Sequence, residues 1–289
     1  MKFGIAFANT GHAVTPDGAT ALATIAEELG YESLWTVEHV VVPADYESTY
    51  PYSSSGRMPG TEDAPIPDPL VWLAWCAAHT TRIRLATGIL ILPQRNPVIL
   101  AKELATLDVL SRGRLVLCVG VGWLEEEFDA IGVPFAERGA ITDEYVQALR
   151  VLWQDAEPTF SGRYANFTRA RMYPKPAQDR VPIVIGGHTK AAARRAGRLG
   201  DGFFPGRGRP EQLEELVDVA RAAAVEAGRD PDALEITCGV VLDVDAIKRL
   251  ADRGVARVVV PGFGTSTEQY KQLLGAFADN IMSKVGATV

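Results

Sequence analysis

Residues 83–121 read IRLATGILILPQRNPVILAKELATLDVLSRGRLVLCVGV, and the alternation inside this stretch decides the fold. Ile83 to Ile91 and Leu115 to Val121 are short, mostly apolar runs. Parallel strands buried on both faces have this composition, because neither face must meet water. Between them Asn96 offers a helix N-cap, and Pro97 takes the first helical position, where its missing N–H costs nothing. Gly113 stands just past the end of that helix. The same rhythm extends outward in both directions. Upstream lie the runs Phe3 to Phe7 and Ser33 to Val37; downstream lie Ile183 to Ile185, Gly202 to Phe204, Leu234 to Val240 and Arg257 to Val260. Asp17 and Thr189 read as further helix starts, and Gly30, Gly200, Gly228 and Gly254 as stops. The chain therefore carries eight strand–helix pairs in strict order. An open doubly wound sheet usually has fewer strands, so the pattern predicts an α/β protein with a closed TIM-type (β/α)8 barrel, residues 1–289 forming one domain.

Two stretches break the rhythm. Val40 to Asp68, rich in Pro, Ser and Tyr, follows the second strand directly. A connection this long in a compact domain is usually a lid or binding loop, and in a barrel this one would lie on the catalytic face. Pro158 to Asp179 reads as a small hairpin and a proline-rich return inserted before the fifth strand.

Composition narrows the partners. The net charge of -7 argues against a basic face for nucleic acid or acidic lipid. The N-terminal MKFGIAFANTG lacks the features of a signal peptide, and no apolar run is long enough to span a bilayer. Cys76, Cys118 and Cys238 are odd in number and far apart, as expected of reduced core thiols, so a cytoplasmic protein is expected. Four histidines and three cysteines without a close-spaced pair predict no structural metal.

Candidate chemistry gathers at strand ends. His39, beside Glu38, follows the second strand, where an imidazole can transfer a proton near neutral pH or hold charge beside a reduced ring. Gly88 and Ile89 interrupt the third strand, as a bulge or the close approach of a ligand would. Gly120-Val121-Gly122-Trp123 ends the fourth strand; Glu125 stands where a dinucleotide fingerprint needs its third glycine, which excludes a Rossmann site. These residues would instead let a flat ring lie against backbone. Gly186-Gly187-His188-Thr189 opens a helix after the fifth strand, a place where backbone amides attract anions, and Arg207 after the sixth strand adds a cation. His79 reads as a packed core histidine, and His12 lies in the loop after the first strand.

Several of these segments in order resemble the bacterial luciferase-like oxidoreductases. Asn96 to Lys102, Ala105 to Asp108, Ser111 to Arg114 and Gly120 to Trp123 carry the likeness, as do Pro174-Lys175-Pro176, Val181 to Gly187 and Gly200 to Pro205. Gly122 to Phe128 and Phe135 to Gly139 look like the branch that uses the deazaflavin coenzyme F420. The resemblance implies a TIM barrel binding coenzyme F420 or, alternatively, FMN. His39 would be the catalytic histidine beside the ring, with Glu38 as its acidic neighbour. Gly88–Ile89 would form a non-proline cis peptide behind the ring, and Gly186, Gly187 and His188 would hold the phosphate-bearing tail. The function implied is F420-dependent hydride transfer to or from a small organic molecule. The alternatives are an FMN-dependent monooxygenase fed by a flavin reductase and a non-catalytic flavin-binding protein. A homodimer, with an F420-reducing enzyme as an indirect partner, is also expected. Related sugar-phosphate dehydrogenases carry a glutamate near the position of Trp123, so that activity is not expected here.

Overall fold

β1 (Lys2–Ala6), β2 (Ser33–Thr36), β3 (Arg84–Thr87) with its continuation β4 (Leu90–Ile91), and β5 (Leu115–Gly120) come from the first four apolar runs. An antiparallel pair, β6 (Phe160–Ser161) and β7 (Asn166–Phe167), forms the expected hairpin. The remaining staves are β8 (Ile183–Gly186), β9 (Gly202–Phe204), β10 (Glu235–Gly239) and β11 (Val255–Pro261). The computed structural model describes residues 1–206, 210–239 and 242–286. β1 pairs in parallel with both β2 and β11, and β3 pairs with β5, so the sheet closes on itself as a (β/α)8 barrel.

The helices that position the mouth are α1 (Pro16–Glu28), α2 (Pro69–His79), α3 (Pro97–Leu110), α4 (Glu125–Ala130), α5 (Arg138–Gln154), α6 (Lys190–Leu199) and α7 (Pro210–Glu226). Asn96 caps α3 as expected, accepting from the Val98 and Ile99 amides, and Thr189 caps α6 through Ala192. At α1 the cap is Thr15 rather than Asp17, because Pro16 occupies the first helical position. Among the described residues, no helix is long and apolar enough to cross a membrane.

Two apolar layers hold the barrel. Outward side chains such as Leu34, Leu85, Leu117 and Ile183 join those of the helices in the main core. Inward, Trp35 packs with Ala86, Val116, Cys118, Val184 and Val259. Trp35 fills the interior because its neighbours are small: a Cβ on Gly4 would lie 2.8 Å from its Nε1, and one on Gly88 2.8 Å from its Cε3. The close approach that Gly88 permits is thus made by Trp35. Below it, at the N-terminal end, Arg257 is fully buried and donates from Nε and Nη2 to Glu32 at 2.8 Å each. Burial pushes the Glu32 carboxyl up, but Arg257 outweighs this and holds it below its ordinary value.

The interruption of the third strand is a bulge. Ala86 pairs with Val116 and Leu90 with Val119, so four steps on one side match three on the other. The Thr87 hydroxyl bridges the gap, donating to Cys118 O at 2.7 Å and accepting from Cys118 N at 2.8 Å. The Gly88–Ile89 peptide is trans, which corrects the cis bond implied by the resemblance; the described cis bond is Tyr173–Pro174. The extra residue and the Thr87 hydroxyl together turn the strand without a rotated peptide.

Candidate active site at the barrel mouth

Beyond β2 the chain leaves the barrel through Val37, Glu38 and His39, and side chains still alternate there. Glu38 is buried and turns away from His39. It accepts from the Ile91 amide and from Arg95, whose Nε lies at 2.9 Å, and Arg95 also reaches Asp68. Asp68 in turn caps α2 through the Leu70 and Val71 amides. Glu38 therefore ties β2 to β4 and to the far end of the long loop. Its expected places beside His39 and beside the cofactor are corrected on that ground.

The carboxylate that holds His39 comes from α4. Glu127 Oε2 lies 3.1 Å from His39 Nδ1, with the Glu127 side chain wholly buried. Its Oε1 accepts from the Val40 and Val41 amides at 2.5 and 3.3 Å. A carboxylate can only accept here, so Nδ1 carries the proton in neutral imidazole and Nε2 keeps its lone pair. Sequence reading passed over Glu127. It stands third in the run Glu125-Glu126-Glu127, which looks like a solvated helix start; its place as the penultimate residue of the Gly122 to Phe128 motif was the available signal.

The loop from Val40 to Asp68 does close over the mouth. Glu126 Oε1 accepts from the Glu47 and Ser48 amides at 2.6 and 3.0 Å, and Glu125 N donates to Ser48 Oγ at 3.1 Å. Burial works against the Glu126 carboxylate, yet the hydrogen bonds from Ser48 and Glu47 bring its pKa down to about 2. Asn9 donates to Pro67 O at 2.9 Å near the other end of the loop. Aromatic edges then cross the opening. His39 meets Trp123 with ring centroids 5.8 Å apart, Trp123 meets Tyr50 at 5.1 Å, Tyr50 meets Tyr52 at 5.4 Å, and Tyr52 meets His188 at 4.9 Å. Trp123 also packs edge-on against Tyr46 at 5.5 Å. This chain of rings links the two ends of the site that the sequence placed on separate strands.

The strand-end glycines make room mainly for protein. Ile89 points across the barrel top: a Cβ on Gly120 would lie 2.7 Å from its Cγ2, and one on Gly186 would collide with its Cδ1. Gly122, at φ +82°, would meet the Phe128 ring at 2.6 Å. The space that a side chain would need at these glycines is thus taken by Ile89 and Phe128. The Gly187 amide is taken by Phe204 O at 3.1 Å, so it is not the anion donor expected of it. His188 remains at the rim, where partial burial pulls its imidazole below the ordinary value. A cavity of about 620 Å³ opens there, lined by Tyr52, Ser53, His188, Lys190 and the start of α7. Lys190 pairs with Glu215 at 2.5 Å across it. Arg207 lies outside the described residues.

Two other histidines stay apart from the site. His79 is exposed at the end of α2, its Nδ1 2.8 Å from Trp75 O, which corrects its expected place in the core. His12 packs against Tyr270 at 5.8 Å. All three cysteines are buried and free, as expected of core thiols.

Comparisons with known proteins agree with the barrel fold. The sequence model described as luciferase-like monooxygenase matches residues 1–279. An uncharacterized protein of Mycobacterium tuberculosis is 35% identical over 274 residues, covering 91% of this chain and 94% of the relative. A protein of Kineococcus radiotolerans named F420-dependent glucose-6-phosphate dehydrogenase is 33% identical over 236 residues, 80% of this chain and 65% of the relative. Among solved structures, the monooxygenase RslO1 from Streptomyces bottropensis superposes with a TM-score of 0.78 at 26% identity, covering 98% of this chain and 99% of that one.

Proposed function

The chain belongs to the luciferase-like monooxygenase family, and from that premise we propose that it is a coenzyme F420-dependent oxidoreductase, moving hydride between the deazaflavin and a small organic substrate. The observation that carries this reading is the His39–Glu127 pair beneath a closed loop, joined by a line of rings to a cavity at His188. The residues present suit such a cofactor. Its volume places the cavity within the roughly 300–1,000 Å³ of small-molecule sites. Ile89 would back the ring, while Gly186, His188 and Lys190 would flank the phosphate-bearing tail. When bound, the deazaflavin supplies a two-electron hydride carrier, and the protein supplies orientation, water exclusion and proton handling.

In this reading His39 is the acid–base group. With Glu127 accepting from Nδ1, the Nε2 lone pair takes a proton from a substrate hydroxyl as its carbon loses hydride. In the reverse direction the imidazolium returns that proton to the oxygen. Glu127 offsets the positive charge, and the loop keeps water from competing for the proton. Trp123 and Tyr50 line the approach with apolar surface. The reading also carries a homodimer and a separate enzyme that regenerates the reduced cofactor.

Likeness to the Streptomyces monooxygenase favours one other reading, FMN-dependent oxygenation. Titrating the purified protein with coenzyme F420 and FMN side by side separates the two. The proposal expects micromolar or tighter F420 binding, with FMN weaker by at least about tenfold, or roughly 1.4 kcal/mol. Equal or tighter FMN binding transfers the assignment to the monooxygenase.

A further inference from the structure

Two consecutive carboxylates on α4 bind different ends of one device. Glu127 divides its oxygens between the His39 ring and the first two amides of the loop, those of Val40 and Val41. Glu126 holds the same loop several residues further on, at Glu47 and Ser48. The loop is held again near its far end, where Asn9 binds Pro67 O and Arg95 binds Asp68. Between these anchors Tyr50 and Tyr52 lie across the mouth against Trp123 and His188.

We infer that α4 couples loop closure to the orientation of the acid–base histidine, with Glu127 as the positioning residue for His39 and Glu126 as the clamp that keeps the loop shut. This rests on reading the mouth as the catalytic site. Val40 is the residue after His39, so lifting the loop withdraws the Val40 and Val41 amides from Glu127 and turns the backbone that carries the imidazole. A buried carboxylate that loses two donors is left poorly solvated and must reorganise. The Nδ1 contact that fixes the tautomer goes with it. An open loop then has an unoriented base as well as a wet site, so proton transfer and water exclusion are acquired in one step, as enzymes gated by lids require. The coupling needs no contact between Glu126 and His39; it passes through the loop and through α4 itself.

The test uses the full chain without cofactor or substrate, so it does not depend on which flavin is bound. Amide hydrogen exchange reads the loop, and nitrogen-15 NMR of the His39 ring reads the tautomer. In the unmodified protein a single form with the proton on Nδ1 is expected. Glu126→Ala should speed exchange at residues 47 and 48 by about tenfold or more, since those amides lose their acceptor. It should also introduce the Nε2–H form of His39. Glu126→Gln, which keeps an acceptor oxygen, should restore much of both signals. Glu127→Gln is nearly isosteric, and its amide group can donate to Nδ1, so the ring should convert to the Nε2–H form. Once a substrate is known, Glu127→Gln should lower kcat with KM changed less than about threefold, as loss of a transition-state interaction does. A Glu126→Ala protein that exchanges quickly at 47 and 48 yet keeps the unmodified His39 spectrum would overturn the coupling. So would unchanged exchange, or a tautomer indifferent to Glu127→Gln.

Discussion

Gly186→Ala tests the claim that the strand-end glycines serve Ile89. A Cβ on Gly186 would overlap Ile89 Cδ1, with Cγ1 next at 3.2 Å and Val119 O at 3.5 Å. The collision involves one terminal methyl, so the side chain must leave its rotamer or the bulge must shift. Overpacking of this kind costs about 1–3 kcal/mol. Ile89→Val removes that methyl and by itself costs about 0.5–1.5 kcal/mol. The double variant should therefore be no less stable than Ile89→Val alone, a coupling of about 1–3 kcal/mol in the favourable direction. Gly120→Ala is the internal control, because its Cβ would meet Ile89 Cγ2 at 2.7 Å, an atom that valine retains. Ile89→Val should rescue Gly186→Ala and fail to rescue Gly120→Ala. Urea unfolding of all five variants measures this, and simple additivity at Gly186 would refute the packing argument. Displaced into the mouth, Ile89 should also weaken flavin binding in Gly186→Ala, and the double variant should recover it.

Three further outcomes follow from the geometry. His39→Ala should keep the fold and bind cofactor within about tenfold, while turnover falls roughly 10²-fold or more, the range of general acid–base catalysis; near-native turnover would reduce His39 to a packing residue. Arg257→Met leaves the buried Glu32 unpaired and should cost about 3–5 kcal/mol, with Glu32→Gln in the same chain recovering most of it; the denaturation midpoint measures both. The folded Glu32 carboxyl lies below its ordinary 4.5, so its contribution is present above that value and lost as pH falls through the lower, folded one. In Arg257→Met only the Ser33 hydrogen bond and the Arg84 charge still oppose the burial of Glu32, so its folded pKa rises and less stability is lost as pH falls; Glu235, which also pairs with Arg257, moves the same way. A stability–pH slope unchanged between the two proteins would contradict the assignment.

The barrel was legible because its signals are local. Short apolar runs, the Asn96–Pro97 start and the position of Gly113 are each set by backbone chemistry within a few residues. The loop over the mouth was legible from length and place alone. What escaped the sequence depends on partners distant along the chain. Glu127 joins His39 from 88 positions away; the Gly122 to Phe128 motif marks the segment that carries Glu127 but not the residue it pairs with. The resemblance implied Glu38 as the acidic neighbour of His39, but adjacent residues of an extended chain face opposite sides, and Arg95 takes Glu38. Gly88 and Gly120 were read as room for a ligand and Gly186 as part of an anion site, but a Cβ on any of the three would meet protein. A glycine does not say what approaches, and here Trp35 and Ile89 do.

The fate of hydride and oxygen tests the central claim most directly. The protein is supplied with reduced coenzyme F420 under anaerobic conditions, with a panel of enones, imines and quinones, and in parallel with reduced FMN under isotopically labelled dioxygen. The account predicts that F420 is oxidised without oxygen, that one product gains two hydrogens and no oxygen atom, and that His39→Ala abolishes most of this turnover. A product that carries labelled oxygen, formed with FMN alone, would contradict it.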